Sequence, residues 1–120
     1  MGCGHVIRLG SAWEGGPAAD GTVAWVRRFG RPTGLAAGDA VWLVIEEPAA
    51  CGLRLNAAPL PAAVGGGTYR VEVTRWLAPR NLLVLEPAGP AAAAGTAGRV
   101  PLPAALGDVR LEIVPAAEAG

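Results

Sequence analysis

The 120-residue sequence predicts an all-β domain, a sandwich of two antiparallel sheets, and three observations predict it. Apolar residues make up 52% of the chain and charged residues only 17%, so a core can be filled and the chain is not disordered by composition. Eighteen glycines and eleven prolines are scattered between short segments instead of gathering in one block, which is how turns punctuate strands. The segments alternate apolar and polar residues with the period of two that a half-buried strand requires. No window of about 11 residues carries an apolar 3.6-residue period free of an internal Pro or Gly. The one helical candidate, Ala91 to Ala94, is too short to hold.

Taken in order, the expected strands are HVIRL at 5–9, TVAWVRRF at 22–29, AVWLVIE at 40–46, CGLRLN at 51–56, TYRVEV at 68–73, NLLVLE at 81–86 and DVRLEIV at 108–114. Asp20-Gly21 is a hairpin signal between the first two. In the third, Val41, Leu43 and Ile45 form the inward set, with Trp42, Val44 and Glu46 outward. Cys51 opens an alternating stretch with Leu53 and Leu55 and is expected to be a small buried residue. Asn56-Ala57-Ala58-Pro59 is a turn in which Asn accepts left-handed geometry, and Gly65-Gly66-Gly67 is a flexible loop. The fifth strand turns Tyr69, Val71 and Val73 inward against Arg70 and Glu72, and the last turns Val109, Leu111 and Ile113 inward against Arg110 and Glu112. The longest connection, 88–107, is rich in Ala, Gly and Pro, with room for a short strand near 99–102. Residues 1–120 are expected to form one domain, without repeats.

Composition excludes several classes of function. Ten basic and ten acidic residues balance, which leaves no electrostatic footprint for nucleic acid or an anionic membrane surface. No apolar run approaches the ~18 residues needed to cross a bilayer. The N-terminus lacks a basic, then apolar, secretory pattern, so the expected location is cytoplasmic; Val6 stands where a myristoylation motif after Gly2 needs Ser or Thr. Cys3, Cys51 and His5 lack the paired spacing of a zinc site, and no acidic cluster suggests calcium, so neither a metal nor any cofactor is expected. A Cys3–Cys51 disulfide is disfavoured by a reducing compartment. The only histidine, His5, and the only serine, Ser11, lie near a terminus, the acidic residues fall mostly on strand ends and wet faces, and no Gly-rich loop opens a helix. The chain is therefore expected not to be an enzyme.

AWVRRFGRP at 24–32, AVWLVIEEPAACGLRLNAAPLP at 40–61 and TYRVEVTRWLAPRNLLVLEP at 68–87 follow one another in a familiar order. Leu53, Leu55 and Asn56 match a strand that ends in an Asn turn, and Tyr69, Val71, Glu72, Val73 and Thr74 match a segment that ends in Thr. Leu77 and Asn81 match the loop and strand that follow, and Asp108, Val109, Leu111 and Glu112 a closing Asp-Val-x-Leu-Glu strand. Over residues 24–114 this pattern resembles the N-terminal sugar-binding domain of glycoside hydrolase family 2, the β-galactosidase and β-glucuronidase group, here as a stand-alone domain. The resemblance implies a galactose-binding-like jelly-roll β-sandwich. It also implies a non-catalytic role, because in the parent enzymes this domain packs against the barrel that holds the carboxylates. Two departures stand out: Ala57 replaces the Gly of an Asn-Gly turn, and the segment from Trp25 to Phe29 is one residue short, which leaves the facing of Arg27 and Arg28 open. Thr74 is expected to cap the short turn Arg75-Trp76-Leu77 through its hydroxyl.

Weak saccharide binding is the leading functional expectation. Its candidate residues are Trp42, placed outward by its strand's alternation, Trp13, and Arg27 and Arg28, which with Arg31 could clamp a carboxylate such as that of a uronic acid. Each has a structural alternative: Trp42 as cover for the outer sheet, Trp13 and Trp25 as packing around the first hairpin, Trp76 as a plug at one end of the sandwich. For the arginines it is a solvated pairing with Glu46, Glu47 or Glu86. The alternative function is a structural or interaction module, docking on a partner protein or a second copy through a sheet face, on which Trp42 and Val44 would share an apolar surface.

Overall fold

A computed structural model describes residues 5–17, 23–35, 38–87 and 107–115. Nine strands lie among the described residues: β1 His5–Arg8, β2 Glu14–Pro17, β3 Val23–Gly30, β4 Ala40–Glu46, β5 Cys51–Leu55, β6 Ala58–Ala63, β7 Thr68–Glu72, β8 Arg80–Pro87 and β9 Asp108–Val114. A single 3-10 turn, Thr74–Trp76, separates β7 from β8. The strands form a four-stranded sheet in the order β1-β9-β4-β7 and a five-stranded sheet in the order β2-β3-β8-β5-β6, with every pairing antiparallel. This is the expected jelly-roll sandwich, and all seven segments read from the sequence are strands in it.

Two strands, EGGP and APLPAA, are additions to that reading. Their Gly and Pro read as turn punctuation, yet both strands lie at the two edges of the five-stranded sheet, where a missing ladder donor costs least. In β2 the glycine has a packing reason. Gly15 pairs with Trp25, and a Cβ there would stand 2.8 Å from the indole ring, so the ring needs the bare backbone. The expected hairpin is corrected as well: β3 pairs with β2, while β1 pairs with β9 in the other sheet. Asp20-Gly21, Cys3, the helical candidate 91–94 and the segment near 99–102 lie outside the described residues.

The alternation read from the sequence sets the core. Val41, Leu43, Ile45, Val109, Leu111 and Ile113 of the four-stranded sheet face Trp25, Leu53, Leu55, Leu83 and Leu85 of the five-stranded one, and all are buried. Cys51 is a buried free thiol, and burial pushes its pKa up. Tyr69 turns inward beside Ile45 and its hydroxyl donates to the Pro61 carbonyl at 2.6 Å, tying the edge strand of one sheet to the edge strand of the other. Burial, and to a lesser degree the Cys51 thiol, push the Tyr69 phenol up to about 12. The Thr74 hydroxyl does not cap the turn after it. It accepts the Val41 N–H at 2.8 Å and donates to the Glu72 carboxylate at 2.9 Å, because Val41 lies beside β7 with its amide turned to that position.

Among the described connections that use left-handed backbone, three set the meeting of strands. Asn56 and Ala57 have φ of 53° and 69°, both positive as a two-residue hairpin between β5 and β6 demands. Gly65, Gly66 and Gly67 are all at positive φ and the loop is pinned, since Gly66 N–H donates to the Pro48 carbonyl and Glu47 N–H to that of Gly67. Gly107, at φ 104°, leads into β9 so close to β4 that a Cβ would sit 2.7 Å from an Ile45 methyl and 2.8 Å from the Glu46 carbonyl oxygen.

These features give stability predictions readable by chemical denaturation. Ala57→Gly relieves a left-handed alanine and raises stability by about 0.5–1 kcal/mol after the added chain entropy is subtracted. Gly107→Ala lowers it by more than about 2 kcal/mol, combining φ strain with overpacking. The Tyr69 phenol keeps its proton in the folded state to about pH 12, whereas the unfolded phenol loses it near pH 10, so stability falls between those values. Tyr69→Phe removes that alkaline slope and costs about 1 kcal/mol at neutral pH.

Candidate functional site

On the outer face of the four-stranded sheet the register sets Trp42 between Glu72 and Glu112, and Val44 between Arg70 and Arg110. The Arg70 guanidinium lies over the Trp42 ring, 4.8 Å from its centroid, and reaches Glu112 at 3.3 Å. Arg110 bridges Glu46 and Glu112 at 2.8 Å each. Hydrogen bonds from the Thr68 hydroxyl and then from Arg110 hold the Glu46 carboxyl below its ordinary pKa. Beneath this lattice Val44 is 0% exposed and Trp42 is half-buried. The apolar patch expected from these two residues is therefore covered by charge.

Trp13 is fully enclosed in the core and its indole N–H donates to the Leu9 carbonyl. It offers no ring face for stacking, a correction to its place among the candidates; the chain turns at Ala12, with positive φ, and the indole reaches back to Leu9. Trp25 is buried over Gly15, and Trp76 packs against the core with the Arg75 guanidinium 4.4 Å from its ring centroid.

The register resolves the facing of the arginine pair. Arg27 pairs with the buried Leu83 and so starts on the inner face, where its guanidinium turns to the Ser11 and Arg28 carbonyls. Arg28 points outward and is ion-paired with Glu14. The expected partners belong elsewhere: Glu86 pairs with Arg54 at 3.3 Å and Glu46 with Arg110. The sequence brought Arg27 and Arg28 together, but period-two geometry puts them on opposite faces.

Arg28 lines an open depression of about 690 Å³ at one end of the five-stranded sheet, with Phe29, Gly30, Pro79, Arg80 and Leu82 among its other walls. Outward positions of β3 and β8 build it, since Arg28 lies beside Leu82 and Gly30 beside Arg80. Gly30 leaves the middle open; a Cβ there would meet only the Pro79 carbonyl, at 3.9 Å. Asn56 and Asn81 also line it, but their amides are spent internally. Asn56 donates to the Trp76 carbonyl and to Asn81 Oδ1 and accepts the Leu82 N–H; Asn81 accepts the Ala78 N–H and donates to the Ala78 and Phe29 carbonyls. Of the side chains lining the depression, the guanidiniums and the apolar walls are the ones not consumed by this network. Arg80 and Phe29 were missed in the sequence because their place depends on the pairing of β3 with β8, which local alternation does not reveal. Among the described residues no group of three or more His, Cys, Asp or Glu could hold a metal ion, and no helix is long and apolar enough to cross a membrane.

No protein-family description matches the chain, and no curated protein does. Solved structures match it over 96% of its length. They include an FMN-binding β-glucuronidase from Facaelibacterium prausnitzii L2-6 (17% identity, TM-score 0.66) and a β-glucuronidase from Bifidobacterium dentium complexed with coumarin-3-O-glucuronide (16%, 0.68). A β-D-glucuronidase of Dictyoglomus thermophilum is similar at 12% identity and a TM-score of 0.69. The chain spans 23%, 31% and 29% of these three proteins, respectively. What it shares with a part of each of these β-glucuronidases is the fold, the antiparallel β-sandwich described above.

The two sides of the depression differ in what they do for stability. Asn81→Ala strands the Ala78 amide and costs about 2–3 kcal/mol, whereas Arg80→Gln stays within about 0.5 kcal/mol of the parent chain; urea denaturation of the two variants checks the contrast.

Proposed function

We propose that this domain is a non-catalytic, glycosidase-like β-sandwich module that binds saccharide weakly in the depression between β3 and β8. The observation that carries the proposal is the depression itself. Its volume lies within the range of about 300–1,000 Å³ typical of small-molecule sites, and it joins planar guanidiniums to a floor left open by Gly30. Apolar walls suit the C–H faces of a sugar ring, and guanidiniums suit its oxygens. The likeness to glucuronidases supports the ligand class. An open hollow buries only part of a ligand, which sets the expected affinity near millimolar, about −4 kcal/mol.

Amide-resolved NMR of the whole chain, titrated with mono- and oligosaccharides to millimolar concentration, tests this. Saturable shifts are expected at Gly30, Arg80 and Leu82, lost in Gly30→Leu and retained in Trp42→Ala, whose ring Arg70 already covers. An absence of shifts with every sugar would remove the proposal.

One observation favours a second role, docking on a partner protein. Ala24, Val26, Leu82 and Val84 form a half-buried apolar strip on the outer face of the five-stranded sheet, between the Glu14–Arg28 and Arg54–Glu86 pairs. A partner on this strip would be released by Val84→Lys, read by light scattering of the complex; an unchanged complex would exclude the strip.

A further inference from the structure

Resting on the proposal that a saccharide occupies the depression, we infer that the site selects saccharides bearing an anionic group, a carboxylate or a sulfate, over neutral ones. Among the described residues no acidic side chain lines the depression, while two arginines do. Arg28 and Arg80 stand on neighbouring strands in adjacent outward rows, a diagonal of about 7–8 Å between backbones, so both side chains can reach one anionic group. Arg80 makes no ion pair or side-chain hydrogen bond among the described residues. Among the described residues its charge in the lining of the hollow has no ion-pair partner.

Arg28 is engaged, but loosely. Its ion pair with Glu14 joins side chains that are 63% and 45% exposed, and such pairs contribute little and exchange readily. Glu14 does not line the depression. An incoming anionic group can therefore replace Glu14 on Arg28 while Arg80 supplies a second donor fork. A neutral sugar gains only hydrogen bonds from groups that water serves equally well. A second depression, walled by Glu72, Thr74 and Arg75, carries its own carboxylate and lacks this bias.

The test uses the whole chain at low salt, titrated with digalacturonic acid, a sulfated disaccharide, neutral cellobiose and inorganic sulfate, followed by NMR and calorimetry. The expected result is that one or both acidic sugars bind at least about fivefold more tightly than cellobiose and weaken with added salt. Arg80→Gln should weaken the acidic sugars about three- to fivefold and cellobiose by distinctly less, and Glu14→Gln, by freeing Arg28, should tighten the acidic sugars. Whether digalacturonic acid or the sulfated sugar leads tells which anion the forks fit. Equal binding of cellobiose, with no effect of Arg80→Gln, overturns the selectivity while leaving saccharide binding intact. Inorganic sulfate binding as tightly as the sulfated sugar overturns the saccharide component, and silence from all four ligands overturns both proposals.

Discussion

The buried amide of Asn81 holds this sandwich together at its irregular end. It is 3% exposed, and its hydrogen bonds join four pieces of chain: the end of β3 at Phe29, the segment at Ala78, the start of β8 and the hairpin residue Asn56. Asn56 then passes the connection to the Trp76 carbonyl and the Leu82 amide. Backbone groups that no sheet ladder serves are satisfied here by two side chains, and an apolar substitute would leave several of them stranded. The hydrophobic faces supply most of the folding free energy, but they do not fix where the strands end. The asparagine bridge does.

That bridge also shapes the depression. Because both amides are consumed, the hollow above them is polar at its floor but has little donor capacity left there. Charge at its rim comes from Arg28 and Arg80, and space comes from Gly30. The opposite face of the molecule follows a different plan. Arg70 and Arg110 lie across Trp42 and Val44 and are neutralised by Glu46 and Glu112, so the cations there shield apolar surface.

Most of the architecture was legible in the sequence because it is local. Period-two alternation in AVWLVIE and DVRLEIV named the inward residues and the strand limits, and Asn56 announced its turn by its tolerance of positive φ. Both strands that escaped notice are edges whose Gly and Pro read as turns, and their pairing is set by cross-strand neighbours that alternation within one segment does not reveal: Trp25 over Gly15, and Leu53 opposite Leu60. The site was less legible for the same reason. Arg28 was visible as part of an arginine cluster, but its separation from Arg27 and its meeting with Arg80 are products of sheet register. Trp13 looked available because sequence shows a ring without showing that the chain turns at Ala12 and the indole reaches back to Leu9.

The awkward composition of the two outer strands of the five-stranded sheet has a further meaning. Pro17 in β2 and Pro59 and Pro61 in β6 remove amide donors from the rims where another chain would have to add. Each missing donor makes strand addition at those edges less favourable, through backbone chemistry and not through charge. The broad, partly apolar face between those rims can thus stay open to a ligand or partner without the sheet becoming a seed for fibrils.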